Sequence, residues 1–107
     1  MIATDLGEFP PGFDLFCAGA TDLLLEANYH PDLLRLCGYQ EPLKARIASD
    51  RGHMDLTVVC AWIREKMPGS VRNLWLGHLS KEACDPKIAR SLALEALAGK
   101  EVQLTVL

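Results

Sequence analysis

The sequence has four cysteines, Cys17, Cys37, Cys60 and Cys84, but no C-x-x-C pair. Zinc ribbons and fingers need closely spaced ligands, so these thiols are poor zinc candidates. Cys60 falls inside an apolar helical pattern, and buried reduced cysteines of a cytosolic protein are the simpler reading. Also missing is any apolar run of the roughly 20 residues needed to cross a membrane. Nor is there a charged, apolar and cleavable leader segment. A cytoplasmic protein with no membrane partner is expected. There is no excess of positive charge either: the net charge of −3 argues against a broad nucleic-acid-binding surface. A bound metal ion would supply positive charge locally, so phosphate chemistry stays open. Repeats, low-complexity tracts and linkers are absent.

What remains is a folding composition. Of 107 residues, 50% are hydrophobic and 23% charged, which predicts one small domain over residues 1–107. The apolar share is high for so short a chain, so its core is expected to be covered by further protein.

Met1-Ile2-Ala3-Thr4 reads as a strand running into Asp5. Glu8-Phe9-Pro10-Pro11-Gly12 is a loop, followed by a short helix over Phe13 to Ala18. Asp22 to Ala27 is a strand whose unbroken leucines fit burial on both faces. Pro31 and Pro42 open two helical segments, Asp32 to Cys37 and Leu43 to Ser49. Met54 to Met67 carries Leu56, Val59, Cys60 and Ile63 at helical spacing, and Pro68-Gly69 ends it. Val71 to Leu76 is a strand running into Gly77-His78. Asp85 caps a helix with Pro86 in its first turn and Gly99 beyond its end. Val102, Leu104 and Val106 alternate with polar residues as a final half-exposed strand. The order βαβ–αα–βαβ predicts an α/β fold (α+β in some schemes) with a mostly parallel sheet.

In a parallel sheet the strand C-termini share one edge, and ligands bind outside that edge. Four chemically capable residues stand at or near such ends: Asp5, Glu26, His53 and His78. Asp5 could accept a turn amide or bridge metal ions. Glu26, at the end of an all-leucine strand, needs a partner if buried. That partner is either an arginine such as Arg46 or Arg51, or a histidine in a carboxylate–imidazole dyad. Asn28 and His30 follow it, and His30, before Pro31, reads as a helix-opening residue. His53, placed at the N-terminus of the long helix, is either a solvated capping residue or sits beside an anion. His78, flanked by Gly77, is either structural or a zinc or manganese ligand.

Taken in order, Ala3-Thr4-Asp5-Leu6-Gly7, Leu25-Glu26-Ala27-Asn28-Tyr29, Gly52-His53-Met54 and Leu76-Gly77-His78-Leu79-Ser80 resemble the metallo-β-lactamase fold superfamily. More narrowly they resemble its phosphodiesterase and nuclease branch, which includes ribonuclease Z and the YycJ/WalJ-like hydrolases. The run Leu43-Lys44-Ala45-Arg46-Ile47 before Gly52-His53 is similar to the latter group. The resemblance implies that Asp5 bridges two divalent metal ions, zinc or manganese, and that His78 is the last metal-ligand histidine. It implies that Glu26 and His53 form the dyad that protonates the leaving group. It also implies that the chain is one half of a four-layer αββα sandwich: one sheet, with helices on one face and an exposed apolar face opposite.

The sequence departs from that family. The H-x-H-x-D-H motif and the next histidine ligand are absent, and Met54-Asp55 follow His53 where a small polar residue is usual. Two ligands do not complete a catalytic zinc site, which needs at least three. The expectation is therefore the C-terminal half of a metal-dependent phosphodiesterase or nuclease, acting on a phosphodiester or nucleic acid. It would need the missing N-terminal half or a partner chain, and the chain alone is expected to be inactive. The apolar face could instead pair copies of this chain in a homo-oligomer. Two other readings stand beside this one: a truncated or degenerate half-domain that only binds a partner, and a metallo-hydrolase of a non-phosphate ester or thioester.

Overall fold

In the computed structural model, residues 1–3, 7–49 and 52–107 are described. The elements run β1 (Ile2–Ala3), α1 (Phe13–Phe16), β2 (Asp22–Glu26), α2 (Pro31–Leu36), α3 (Glu41–Ile47), α4 (Leu56–Glu65), β3 (Asn73–Gly77), α5 (Pro86–Ala96) and β4 (Gln103–Val106). The strands pair in chain order β1-β2-β3-β4, all parallel. Every strand-to-strand link is thus a crossover, and crossovers of one hand in sequential order leave the sheet on the same side. The expected α/β fold is present, consistent with half of a two-sheet sandwich.

The register separates the two faces. One row across the sheet is Ala3, Leu25, Leu76 and Val106, and another is Leu23, Leu74 and Leu104. These rows face the main core together with Leu56, Val59, Cys60 and Ile63 of α4 and Ala89, Ala93 and Ala96 of α5. The α4 stripe is the one its spacing predicts. Phe13 of α1 joins through Trp62, with ring centroids 5.4 Å apart, and Phe9 stacks on Trp62 at 5.0 Å. The intervening row, Ile2, Leu24, Trp75 and Thr105, lies on the opposite face. Ile2 there is 71% exposed, Leu24, Trp75 and Thr105 are half-exposed, and Leu107 at its rim is exposed. Burial on both faces was expected of β2, but only its odd-numbered leucines are fully buried.

Most element boundaries differ from the sequence-based expectation by one or two residues, as at α2 and α3, which begin at Pro31 and Glu41. The helix expected from Met54 begins at Leu56, because the Asp55 carboxylate accepts the Thr57 amide at 2.7 Å and caps it. His53 therefore lies in the loop before the cap, not on the helix terminus. The strand expected from Val71 begins at Asn73 and extends to Gly77. The other caps are as read: Asp85 accepts the Lys87 amide at 2.8 Å, and His30 Nδ1 accepts the Asp32 amide at 3.2 Å.

All four cysteines are free thiols, and Cys17, Cys60 and Cys84 are buried. Burial pushes the Cys60 thiol up to about 11 and also raises Cys17 and Cys84. The thiolate is the reactive form. A maleimide at about pH 8 is therefore expected to modify half-exposed Cys37 first and to spare the other three until the chain is unfolded. Peptide mass spectrometry checks this; rapid labelling of Cys60 in the folded protein would contradict the packing. Among the described residues no helix is long and apolar enough to cross a membrane.

Candidate active site

Three of the four sequence-selected residues meet at the C-terminal edge of the sheet. Glu26 closes β2 and is 0% exposed. Opposite it in the ladder is Gly77, where an added Cβ would meet Leu24 and Leu107 side chains at 3.4 and 3.5 Å. Strand alternation puts Glu26 on the face of Leu24, the one without helices. His78 follows directly from β3 and turns back at φ 60°, the only non-glycine residue with positive φ among those described. A left-handed conformation costs a non-glycine residue roughly 1–2 kcal/mol, so neighbouring contacts must hold it.

His53 arrives by a separate route. Beyond Glu26 the chain stays bonded to the end of β3, with Ala27 N on Gly77 O at 3.1 Å, and also pairs with the segment before α4. Asn28 N donates to Met54 O at 3.1 Å, and Leu56 N donates to Tyr29 O at 2.8 Å. These bonds lay the 53–56 segment alongside the extension of β2. The His53 amide donates to Ile47 O at 3.0 Å, which anchors the loop to the end of α3. Gly52 is required here by space: a Cβ would collide with the backbone carbonyls of Arg46 and Ile47.

The result is one carboxylate shared by two imidazoles. Glu26 Oε2 lies 2.7 Å from His53 Nδ1 and 2.6 Å from His78 Nδ1. The rings stand edge to face, with centroids 5.1 Å apart. His53 is 33% exposed and His78 50%, so the buried end of each ring grips the carboxylate and the rest reaches the surface. An ionised carboxylate only accepts hydrogen bonds, so the His53 Nδ1 bonded to it carries hydrogen, and a neutral ring then has its lone pair on Nε2. A cleft of about 530 Å³ opens in front of them, lined by Asn28, Tyr39, Leu79, Ser80 and Lys81 as well as the two histidines.

The expected proximity of Glu26 to His53 is present, and histidines rather than Arg46 engage Glu26. The contact between Glu26 and His78 was not expected, because the sequence reading assigned His78 to a separate metal pair with Asp5. Asp5 and Arg51 lie outside the described residues. Sequence reasoning also missed Asn28, whose Nδ2 donates to His78 O at 2.8 Å. Its position directly after the strand was visible, but a side-chain-to-carbonyl bond across 50 residues leaves no local signal.

Glu26, His53 and His78 bring one ligand atom each to within 4.8 Å of one another, a donor set that could hold a metal ion. The 2.7 Å contact with His53 Nδ1 is a charge-assisted N–H···O distance, and the contact with His78 Nδ1 is shorter still at 2.6 Å. They leave no room for an ion between the three atoms in this arrangement. The set better fits imidazoles that would present Nε2 to an ion while a carboxylate fixes ring and tautomer from behind.

No family model matches the chain. It is 28% identical over 106 residues to exodeoxyribonuclease WalJ of two Streptococcus pneumoniae strains, D39 and R6. The match covers 99% of this chain but only 39% of those relatives, so the chain spans about two fifths of their length and is distantly similar to part of a nuclease.

Proposed function

We propose that the chain is the C-terminal portion of a metal-dependent hydrolase acting on phosphodiesters, of nuclease type. The observation that carries this reading is the fully buried Glu26 oxygen held by two imidazole Nδ1 atoms. The distant likeness to an exodeoxyribonuclease supports the substrate class. In this reading His53 is the general acid. Glu26 accepts its Nδ1–H and stabilises the imidazolium, whose Nε2–H is the proton delivered to the leaving alkoxide. An alkoxide is a poor leaving group, which is why a dedicated acid suits a phosphodiester better than an activated ester. His78, with Asp5, would offer ligands to a pair of divalent ions, zinc or manganese. Such ions, when bound, supply an activated water and neutralise charge on phosphorus. Lys81 and Tyr39 lie along the cleft where the chain of a nucleic acid would pass.

Two residues are too few for a catalytic metal site, so the remaining ligands must come from elsewhere. The helix-free face of Ile2, Leu24 and Trp75 runs up to the Glu26 edge, and a second sheet laid on it would bring such ligands to the histidines. A chain that only binds a partner through this face is the second reading, favoured by its exposure.

The test is the full product of the gene, assayed with manganese or zinc on single- and double-stranded DNA. Hydrolysis is expected, and His53→Ala should lower turnover by about 10²-fold or more with metal content unchanged. Loss of metal in that variant would show that the roles of His53 and His78 are misassigned. A metal-loaded product that cleaves no phosphodiester would favour the partner-binding reading.

A further inference from the structure

Asn28 touches both loops that carry the histidines. It is buried, at 7% exposed, on the extension of β2. Its backbone N–H reaches Met54 O, beside His53. Its backbone carbonyl accepts from Ser80 N at 2.8 Å, and its side-chain amide donates to His78 O at 2.8 Å. The last of these has a structural reason. The ladder between β3 and β4 ends with Leu107 N on Leu76 O at 2.9 Å, short of His78. The His78 carbonyl, turned aside by φ 60°, takes its hydrogen from a side chain instead. Beyond it the loop is fixed by Ser80 Oγ, which accepts the Ala83 amide at 3.0 Å and lies 3.3 Å from the Tyr39 hydroxyl. His30 N closes it on Ala83 O at 2.9 Å. The stitched part begins at Ser80, so the side-chain bond of Asn28 acts directly on the residue that carries the imidazole.

We propose that Asn28 is a positioning residue whose side-chain amide clamps the His78 carbonyl and thereby holds the His78 imidazole on Glu26. The proposal rests on the reading of His78 as a working residue, but its test does not pass through hydrolysis or metal binding. Failure of the nuclease assay and failure of the clamp are therefore separate results. The clamp is specific to one histidine: His53 is held through the backbone of Asn28, which substitution leaves in place, and through Ile47 O.

The readout is the pair of Nδ1–H proton resonances of His53 and His78 in nitrogen-15-labelled protein, without added metal. Both are expected far downfield in the unmodified chain, as protons shared with a carboxylate. Asn28→Ala and Asn28→Asp should each abolish or exchange-broaden the His78 resonance and keep that of His53. Asn28→Asp is decisive, because aspartate has nearly the same shape but its carboxylate cannot donate to a carbonyl. Persistence of both resonances in Asn28→Asp would overturn the proposal, as would their joint loss in a variant that stays folded. If neither variant folds, solvent exchange of the Asn28 side-chain amide in the unmodified protein decides. Exchange about tenfold or more slower than that of exposed Gln103 is expected, and equal rates would overturn the clamp.

Discussion

Replacing Glu26 with glutamine is expected to lower turnover of the complete hydrolase by about 10³–10⁴-fold while the protein stays folded. The two effects separate because shape is conserved and charge is not. Oε2 now lies 2.7 Å from His53 Nδ1 and 2.6 Å from His78 Nδ1. A glutamine carbonyl oxygen in that place can still accept from both rings, but it is neutral and no longer stabilises the imidazolium that a general acid requires. If the amide nitrogen takes that place instead, both rings meet a donor, and each must carry its lone pair on Nδ1 and lose it from Nε2, where substrate or ion would be met. Stability should move by no more than about 1–2 kcal/mol, since the loss of charge-assisted bonds is offset by relief from burying a carboxylate. Turnover, metal content and urea unfolding measured on one preparation check this. Turnover within about threefold of the unmodified enzyme would remove Glu26 from the mechanism.

Leu74→Ala is expected to destabilise the fold by about 2–5 kcal/mol. Leu74 is 0% exposed on β3, the strand between β2 and β4, and lies level with Leu23 and Leu104. Truncation leaves a cavity that strands on both sides hold open. A chain of this size has roughly 5–15 kcal/mol of stability to lose, so the variant should unfold at markedly lower urea with an unchanged slope. Leu94→Ala, on the exposed side of α5, should stay within about 0.5 kcal/mol. A small effect at Leu74 would mean that the core lies elsewhere.

The fold was legible because its signals are local. The leucine run marks β2, the spacing of Leu56, Val59, Cys60 and Ile63 marks α4, and Asp85-Pro86 marks the start of α5. The start of α4 was misplaced because Met54 is apolar and in register, whereas the true boundary is set by the carboxylate of Asp55, which a hydrophobic period does not register. The site was half legible. Strand ends brought Glu26 and His78 to one edge, as a parallel sheet requires; the need of a buried carboxylate left its partner open between an arginine and a histidine, and only the family resemblance implied His53. That His78 shares the same oxygen depends on a left-handed residue and on Asn28 across the sheet. Neither appears in any window of sequence short enough to carry a pattern.

The strand order also sets a timetable. β2 and β3 are neighbours, yet the paired residues Asp22 and Asn73 are 51 positions apart. At a synthesis rate of about 5–20 residues per second, β2 leaves the ribosome roughly 3–10 s before the strand that completes it. Over that interval the Leu23-Leu24-Leu25 segment offers an unpaired apolar edge, bordered on one side only by the short β1. Closure of that long connection costs only about 0.6 kcal/mol more for each doubling of its length, so waiting time rather than equilibrium is the hazard. Nascent chains arrested before β3 has emerged should thus be the species that holdase chaperones engage. The same wait delays the site, whose second histidine is delivered by the end of β3.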